Sequence, residues 1–273
     1  MIANLFDKLR MLSTALKPRL KLLNLGCGSH FHPEWVNVDM VSNDSQVIQH
    51  DLLSPLPFKN SSFAVVYHSH VLEHFPRQKA APFLNECYRL LAPGGTLRVA
   101  VPDLEVIARL YLKYLDGTLA GDKESMQRHE WMTLELLDQL VRDTPGGEVL
   151  KYWRQNPMPA EEFVIERTGQ EVRKNLAIFR SSPQPAPVPE SEQPASPVDA
   201  AAIGRFRLGG EVHKWMYDRC SLRALLEKCG FVDITVCGAG ESRIPDFNRY
   251  GLDLAGDGSV RKPDSLFMEA SKA

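Results

Sequence analysis

With 273 residues, 44% of them apolar and 24% charged, the chain has an ordinary globular balance and enough length for one large core plus a substantial insertion. A formal net charge of -2 provides no overall field to recruit nucleic acid or an anionic membrane, and no run approaches the roughly eighteen apolar residues of a membrane span. The cysteines Cys27, Cys87, Cys220, Cys229 and Cys237 are odd in number and contain no CxxC pair, which argues against a disulfide framework or a metal site and suits a reducing, cytoplasmic setting.

Met1 to Leu20 places Ile2, Leu5, Phe6, Leu9, Leu12 and Leu16 at helical spacing, with Lys8, Arg10, Lys17 and Arg19 between them. It lacks the unbroken apolar stretch of a signal peptide and reads as a helix beside the first strand, with a membrane-surface helix as the alternative. Strands are expected at Leu20–Leu25, Trp35–Val38, Gln46–His50 and Phe63–Tyr67. A helix follows over Pro82–Leu91, stopped by Pro93-Gly94-Gly95, and then a strand over Thr96–Val101. Strand and helix alternating at this rhythm predict an α/β fold with a doubly wound, mostly parallel sheet and helices on both faces.

Beyond Pro102 the pattern changes. Leu104–Leu115, Glu124–Val141 and Glu161–Phe179 are amphipathic helical stretches with no strand between them. Ser181–Pro197 is dominated by Pro, Ser, Gln and Glu and cannot build a core. The α/β pattern then resumes: Ser221 caps a helix over Leu222–Cys229, and strands follow at Phe231–Val236 and Ser265–Ala270. One domain spanning 1–273 therefore carries a helical insertion over 104–212, including a disordered-like Pro-rich loop at 181–200. The insertion is expected to act as a lid.

The turn Asn24-Leu25-Gly26-Cys27-Gly28-Ser29 follows the first strand directly, where glycines allow a sharp turn and close approach of a ligand. Asp39 ends the second strand, and Asp51-Leu52 follows the third. With Phe63–His74 and the run Arg89-Leu90-Leu91-Ala92-Pro93-Gly94-Gly95, this set resembles the class I S-adenosylmethionine-dependent methyltransferases, in particular the bacterial type 11 group. The resemblance is close over about 20–103 and looser over 211–271. It implies a seven-stranded Rossmann-like fold with S-adenosylmethionine as cofactor. It also implies that Asn24, Gly26 and Gly28 cradle the methionine and ribose portion, and that Asp39 takes the ribose hydroxyls. Asp51 and Leu52 would bracket the adenine, and His68 or Ser69 would meet the methionine end. Two positions depart from the family, Asn24 and Ala64, where acidic residues are usual.

A nicotinamide dehydrogenase would want a third glycine where Phe31 stands, and a P-loop would want GKS or GKT. Methyl transfer asks the protein mainly for binding and alignment. Candidate bases are His68, His70 and His74 in Tyr67-His68-Ser69-His70-Val71-Leu72-Glu73-His74, with Glu73 placed either to orient His74 or to pair with Arg77. A fourth is His213, in the run Glu211–Asp218, which resembles a stretch of bacterial methyltransferases associated with polysaccharide biosynthesis. Alternation there would put His213, Trp215 and Tyr217 on one side of an extended segment. No carboxylate–histidine spacing recurs, so no metal is expected. Absence of an Asn/Asp-Pro-Pro-Tyr loop and of a basic stripe disfavours nucleic acid. O-methylation of a small molecule, glycan or lipid fits better, with a non-catalytic cofactor-binding scaffold as the alternative.

Overall fold

A computed structural model of the chain describes residues 21–42, 44–181 and 199–273. The expectations for residues 1–20 and for most of the Pro-rich stretch lie outside the described residues. The strands are β1 (Lys21–Leu25), β2 (Val36–Asp39), β3 (Val47–Gln49), β4 (Phe63–Ser69), β5 (Leu91–Pro102), β6 (Phe231–Cys237) and β7 (Ser265–Lys272). They form one seven-stranded sheet in the order β3-β2-β1-β4-β5-β7-β6. All pairs from β3 to β5 are parallel, and β7 runs antiparallel between β5 and β6. This is the mostly parallel α/β sheet that the strand–helix rhythm predicts.

One face is covered by α1 (Arg77–Leu90) and α8 (Arg219–Lys228). Helix α1 turns Ala80, Phe83, Leu84, Cys87 and Leu90 inward at helical spacing against Leu23, Val66 and Leu97. Burying each large apolar side chain in this layer contributes about 1.5–3 kcal/mol. The helix begins before the proline that was expected to open it. The amide that Pro82 lacks would have bonded Gln78, an exposed residue whose carbonyl water can satisfy. At α8 the cap is Asp218 rather than Ser221. The Asp218 carboxylate accepts from the amides of Cys220 and Ser221, and the Ser221 hydroxyl stands at 3.0 Å from the Asp218 amide, completing a capping box.

The second face of the sheet is the one on which Trp35, Val65 and Tyr67 stand. Among the described residues it is closed by the β6–β7 connection, where a 3-10 turn at Phe247–Tyr250 packs Ile244, Phe247, Tyr250 and Leu252 on Trp35, Val65 and Tyr67. The aromatic rings meet edge to face, Trp35 on Tyr67 at 6.0 Å and on Tyr250 at 5.3 Å. This connection is anchored through Arg98 of β5, which is fully buried. Its Nε donates to Asp253 at 2.7 Å and its Nη1 to Glu269 at 2.8 Å, while the Tyr67 hydroxyl donates to the other Asp253 oxygen at 2.6 Å.

Between β5 and α8 lie α2 (Leu104–Leu119), α3 (Lys123–Val141), α4 (Gly147–Trp153), α5 (Glu161–Thr168), α6 (Gln170–Ser181) and α7 (Ala200–Leu208). They have their own core around Trp131, Met132, Tyr152, Trp153, Phe163 and Val172, separate from the sheet core. The single helix expected over Glu161–Phe179 is broken at Gly169, whose φ is +69°. A Cβ there would stand 2.6 Å from Pro263 and 2.7 Å from the Arg261 carbonyl, so the break brings the insertion against the β6–β7 connection. Helices α4 and α7 are too short to declare themselves by periodicity. Among the described residues no helix is long and apolar enough to cross a membrane, and all five cysteines are free thiols.

Candidate functional site

Strands β1, β2 and β4 end together, Leu25 standing beside Val38 and His68 in the register. The chain then turns sharply through Gly26 (φ +67°) and Gly28 (φ +54°), both in the left-handed region. Gly26 has to be glycine for a second reason: a Cβ there would lie 2.2 Å from Cγ2 of Val71. At Gly28 a Cβ would meet nothing within 4 Å, so the space beside its backbone is open. The amide of Gly26 is used by the Val38 carbonyl at 2.8 Å, and that of Gly28 donates to Asp39 Oδ2 at 2.7 Å. Asp39 also accepts the Val41 amide at 3.2 Å and is half-exposed, which leaves carboxylate lone pairs facing out of the turn.

A cavity of about 180 Å³ opens at this turn, lined by Asn24, Gly26, Gly28, Ser69 and His70 of the predicted set, with Lys262 opposite. Asn24 is buried and donates to Asn37 at 3.2 Å, while Asn37 in turn donates to the carbonyls of His32 and Trp35 at 3.0 Å each. The residue standing where an acid is usual therefore ties down the β1–β2 loop. His30 closes the cavity's far side by a 2.7 Å contact to the Gly251 carbonyl. Cys27 in the same wall has its thiol pushed up to about 11 by burial and by the Asp39 charge, so it is not a nucleophile.

Four predicted residues do not line this cavity: Asp39 joins the turn through the Gly28 amide, and the other three lie elsewhere. His68 was expected at the strand tip, but β4 continues to Ser69 and alternation turns His68 under α1. There it is fully buried at 5.1 Å from the Phe83 ring, with no partner on either nitrogen, and burial lowers its pKa to about 3. Asp51 is exposed and caps its own turn, accepting the Leu53 amide and the Ser54 hydroxyl at 2.9 Å each. Leu52 packs into the sheet core rather than standing free beside Asp51.

A larger cavity of about 360 Å³ lies between the sheet edge and the inserted helices, with Trp131, Trp153, Glu135, Arg142, Glu211 and His213 in its walls. His70 and Lys262 line both cavities. His70 has φ +54°, and its Nε2 is 2.7 Å from the Ser265 hydroxyl while its Nδ1 is 3.5 Å from Glu73 Oε1. Burial holds His70 well below the ordinary imidazole range and lowers His74 to about 4 and His213 to about 3, so all three are neutral at physiological pH. The structure brings them together, with the His74 and His213 rings 4.8 Å apart. Lys262 also titrates below its usual range through burial, facing Glu73 and Asp264, and Asp264 is raised to about 7 by burial and by Glu135.

The run Glu211–Asp218 does not present one face as alternation suggested. His213 points to the large cavity and Tyr217 joins the sheet core, but Trp215 is exposed under the guanidinium of Arg77 at 4.7 Å. Arg77 is therefore not the partner of Glu73. Sequence reading also missed Lys262, which sits in an irregular connection without a motif, and the Arg98 network behind it.

Residues 23–99 match the family model described as "Methyltransferase domain". Over 56 residues the chain is 41% identical to a protein of Mycolicibacterium smegmatis described as "Probable S-adenosylmethionine-dependent methyltransferase"; that stretch is 20% of this chain and 21% of that protein. The curated relative is thus matched over about a fifth of its length. Among solved structures, a Thermotoga maritima protein described as a "possible histamine N-methyltransferase" superposes with a TM-score of 0.39 at 11% identity, covering 99% of this chain and 96% of that one. The CurJ carbon methyltransferase superposes with a TM-score of 0.39 at 13% identity, covering 98% of this chain and 53% of that one.

Proposed function

We propose that this chain, whose residues 23–99 match the family model described as "Methyltransferase domain", is an S-adenosylmethionine-dependent methyltransferase. Its acceptor is a small polar molecule, glycan or lipid headgroup, methylated on oxygen. The observation that carries this reading is the shared wall: His70 and Lys262 border both the glycine-turn cavity and the cavity under the inserted helices. A donor in the first and an acceptor in the second would meet there. The residues of the turn fit the cofactor, since the space beside the Gly28 backbone is open and Asp39 keeps lone pairs for vicinal hydroxyls. When bound, S-adenosylmethionine supplies an activated methyl group on a sulfonium.

The protein's own part is alignment, exclusion of water and handling of one proton. Holding two reactants in line can be worth roughly 7–11 kcal/mol. The 360 Å³ cavity has the volume of a small-molecule site. Its mixture of indole rings with carboxylates, Arg142 and His213 suits a hydroxylated acceptor with one flat face. His70, neutral and hydrogen-bonded to Ser265, takes the acceptor's hydroxyl proton as the oxygen attacks.

Two measurements test this. Asp39→Ala should weaken S-adenosylmethionine binding about ten- to a hundred-fold, the cost of losing hydrogen bonds to a charged group. An unchanged dissociation constant by calorimetric titration would remove Asp39 from the site. For the chemistry, transfer of radiolabelled methyl from the cofactor is followed across a panel of glycans, lipids and small hydroxy compounds. Asparagine tolerates the left-handed backbone of residue 70, so His70→Asn isolates the imidazole. It should reduce turnover about 10²–10⁴-fold while cofactor affinity stays within about twofold. Full turnover in that variant sinks the role of His70. Saturable cofactor binding with no transfer to any acceptor would favour the scaffold reading instead.

A further inference from the structure

The cofactor cradle and the proposed base leave Glu73 unused. It lies in the one-turn segment Leu72–His74, fully buried, and neither carboxylate oxygen has a hydrogen-bond partner. A carboxyl group taken from water with no donor is costly, and buried groups of this kind are normally paired or bound to metal. His70 Nδ1 stands 3.5 Å from Glu73 Oε1, and Lys262 and Asp264 act on this carboxyl electrostatically.

Two imidazoles complete the group. One ligand atom from each of Glu73, His74 and His213 lies within 4.8 Å of the other two. The Nδ1 of His74 is likewise buried without a hydrogen-bond partner. His213 reaches the group from a distant part of the chain and also lines the large cavity.

We infer that Glu73, His74 and His213 form a binding site for a divalent transition-metal ion of the zinc class, beside the large cavity that His213 lines. Two imidazoles and one carboxylate with an open position make a donor set for catalytic zinc, whereas magnesium and calcium would want mainly oxygen ligands. Bond lengths of about 2.0–2.2 Å would draw the donors to about 3.4 Å from one another, a side-chain movement of about an ångström from the present spacing. The ion would polarise an acceptor hydroxyl and lower its pKa, leaving His70 to remove the proton. That catalytic consequence rests on the methyltransferase reading; the ion site itself does not.

The test uses untagged full-length protein stripped with chelator and titrated with zinc(II) by calorimetry and with cobalt(II) by absorption. One ion per chain is expected. His213→Ala and His74→Ala should each weaken binding by more than the about 10–100-fold that loss of an outer-shell partner costs. Glu73→Gln should do the same if it folds, as judged by circular dichroism. His213→Cys supplies an independent reading, since it should keep the ion and add a thiolate-to-cobalt charge-transfer band. Failure of the wild type to bind one equivalent, binding unchanged in both histidine-to-alanine variants, or absence of that band in a cobalt-loaded His213→Cys protein overturns the inference. Titrating S-adenosylmethionine into the same samples separates the two readings. Cofactor binding without zinc binding ends the metal site alone, and zinc binding without cofactor binding ends the methyltransferase reading alone.

Discussion

Arg98→Met is expected to cost about 3–5 kcal/mol of stability, measured as the shift in a urea or guanidinium unfolding transition. The guanidinium is fully buried and its two carboxylate partners, Asp253 and Glu269, are only 2% exposed. Burial works against the charge on Glu269, but the Ser242 hydroxyl, the Arg243 amide and Arg98 hold it below the ordinary carboxylate range. Removing the cation strands both anions in the interior, and a loss of this size is a large part of the about 5–15 kcal/mol that folds a domain. Replacing all three together, Arg98→Met with Asp253→Asn and Glu269→Gln, should recover much of it, because the penalty comes from unpaired charge. A single-variant loss below about 1 kcal/mol would show that the network is solvated or dispensable. The network also matters to the site. Arg98 holds Asp253, whose carbonyl accepts the Arg261 amide at 2.9 Å, and Arg261 and Lys262 form the cavity wall opposite the glycine turn. Cofactor affinity in Arg98→Met should therefore fall even at temperatures where the protein remains folded.

Gly26→Ala is expected to lower stability by about 1–2 kcal/mol for an L-residue held in the left-handed region, with roughly 1–3 kcal/mol more from overpacking. Its new methyl would stand 2.2 Å from Cγ2 of buried Val71, which is stiff at its β-branch and cannot swing away cheaply. Since the turn carries Gly28 toward Asp39, relief of the clash displaces both from the geometry that suits a ribose. S-adenosylmethionine affinity should fall at least about tenfold, an apparent loss of about 1.4 kcal/mol or more. Gly28→Ala is the informative partner, because its methyl meets nothing in the protein. It should cost only the backbone term in stability. If it weakens cofactor binding as much as Gly26→Ala does, the open space at Gly28 is the ligand's own volume. If Gly28→Ala binds normally, the cofactor does not approach that backbone, and the cradle must be redrawn around Asn24 and Ser69.

How far the site could be read from sequence follows from the range of the interactions that build it. The glycine turn and Asp39 were legible because strand period, glycine and the strand-end acid act within about fifteen residues, and the register places them as expected. His68 and Ser69 were both expected at the strand tip; β4 runs on to Ser69, so alternation keeps His68 on the buried side with Val66, and Ser69 and His70 line the cavity. The helix broken at Gly169 was misread because the requirement for glycine lies in Arg261 and Pro263, far along the chain. Trp215 failed the alternation rule because its segment pairs with the sheet only through the single bridge from Asp103 to Tyr217 and is otherwise irregular.

By itself the sequence determined the order of the strands, the glycine turn after β1 and the helical character of the chain after β5. Each of these is decided by local backbone preference and apolar period. Only the tertiary structure decided that His70 and Lys262 share the wall between two cavities, that Glu73 meets His74 and His213, and that Arg98 neutralises two buried carboxylates. These are side-chain meetings across long loops, and their energies depend on burial and distance, quantities that come into existence only when the chain has closed on itself.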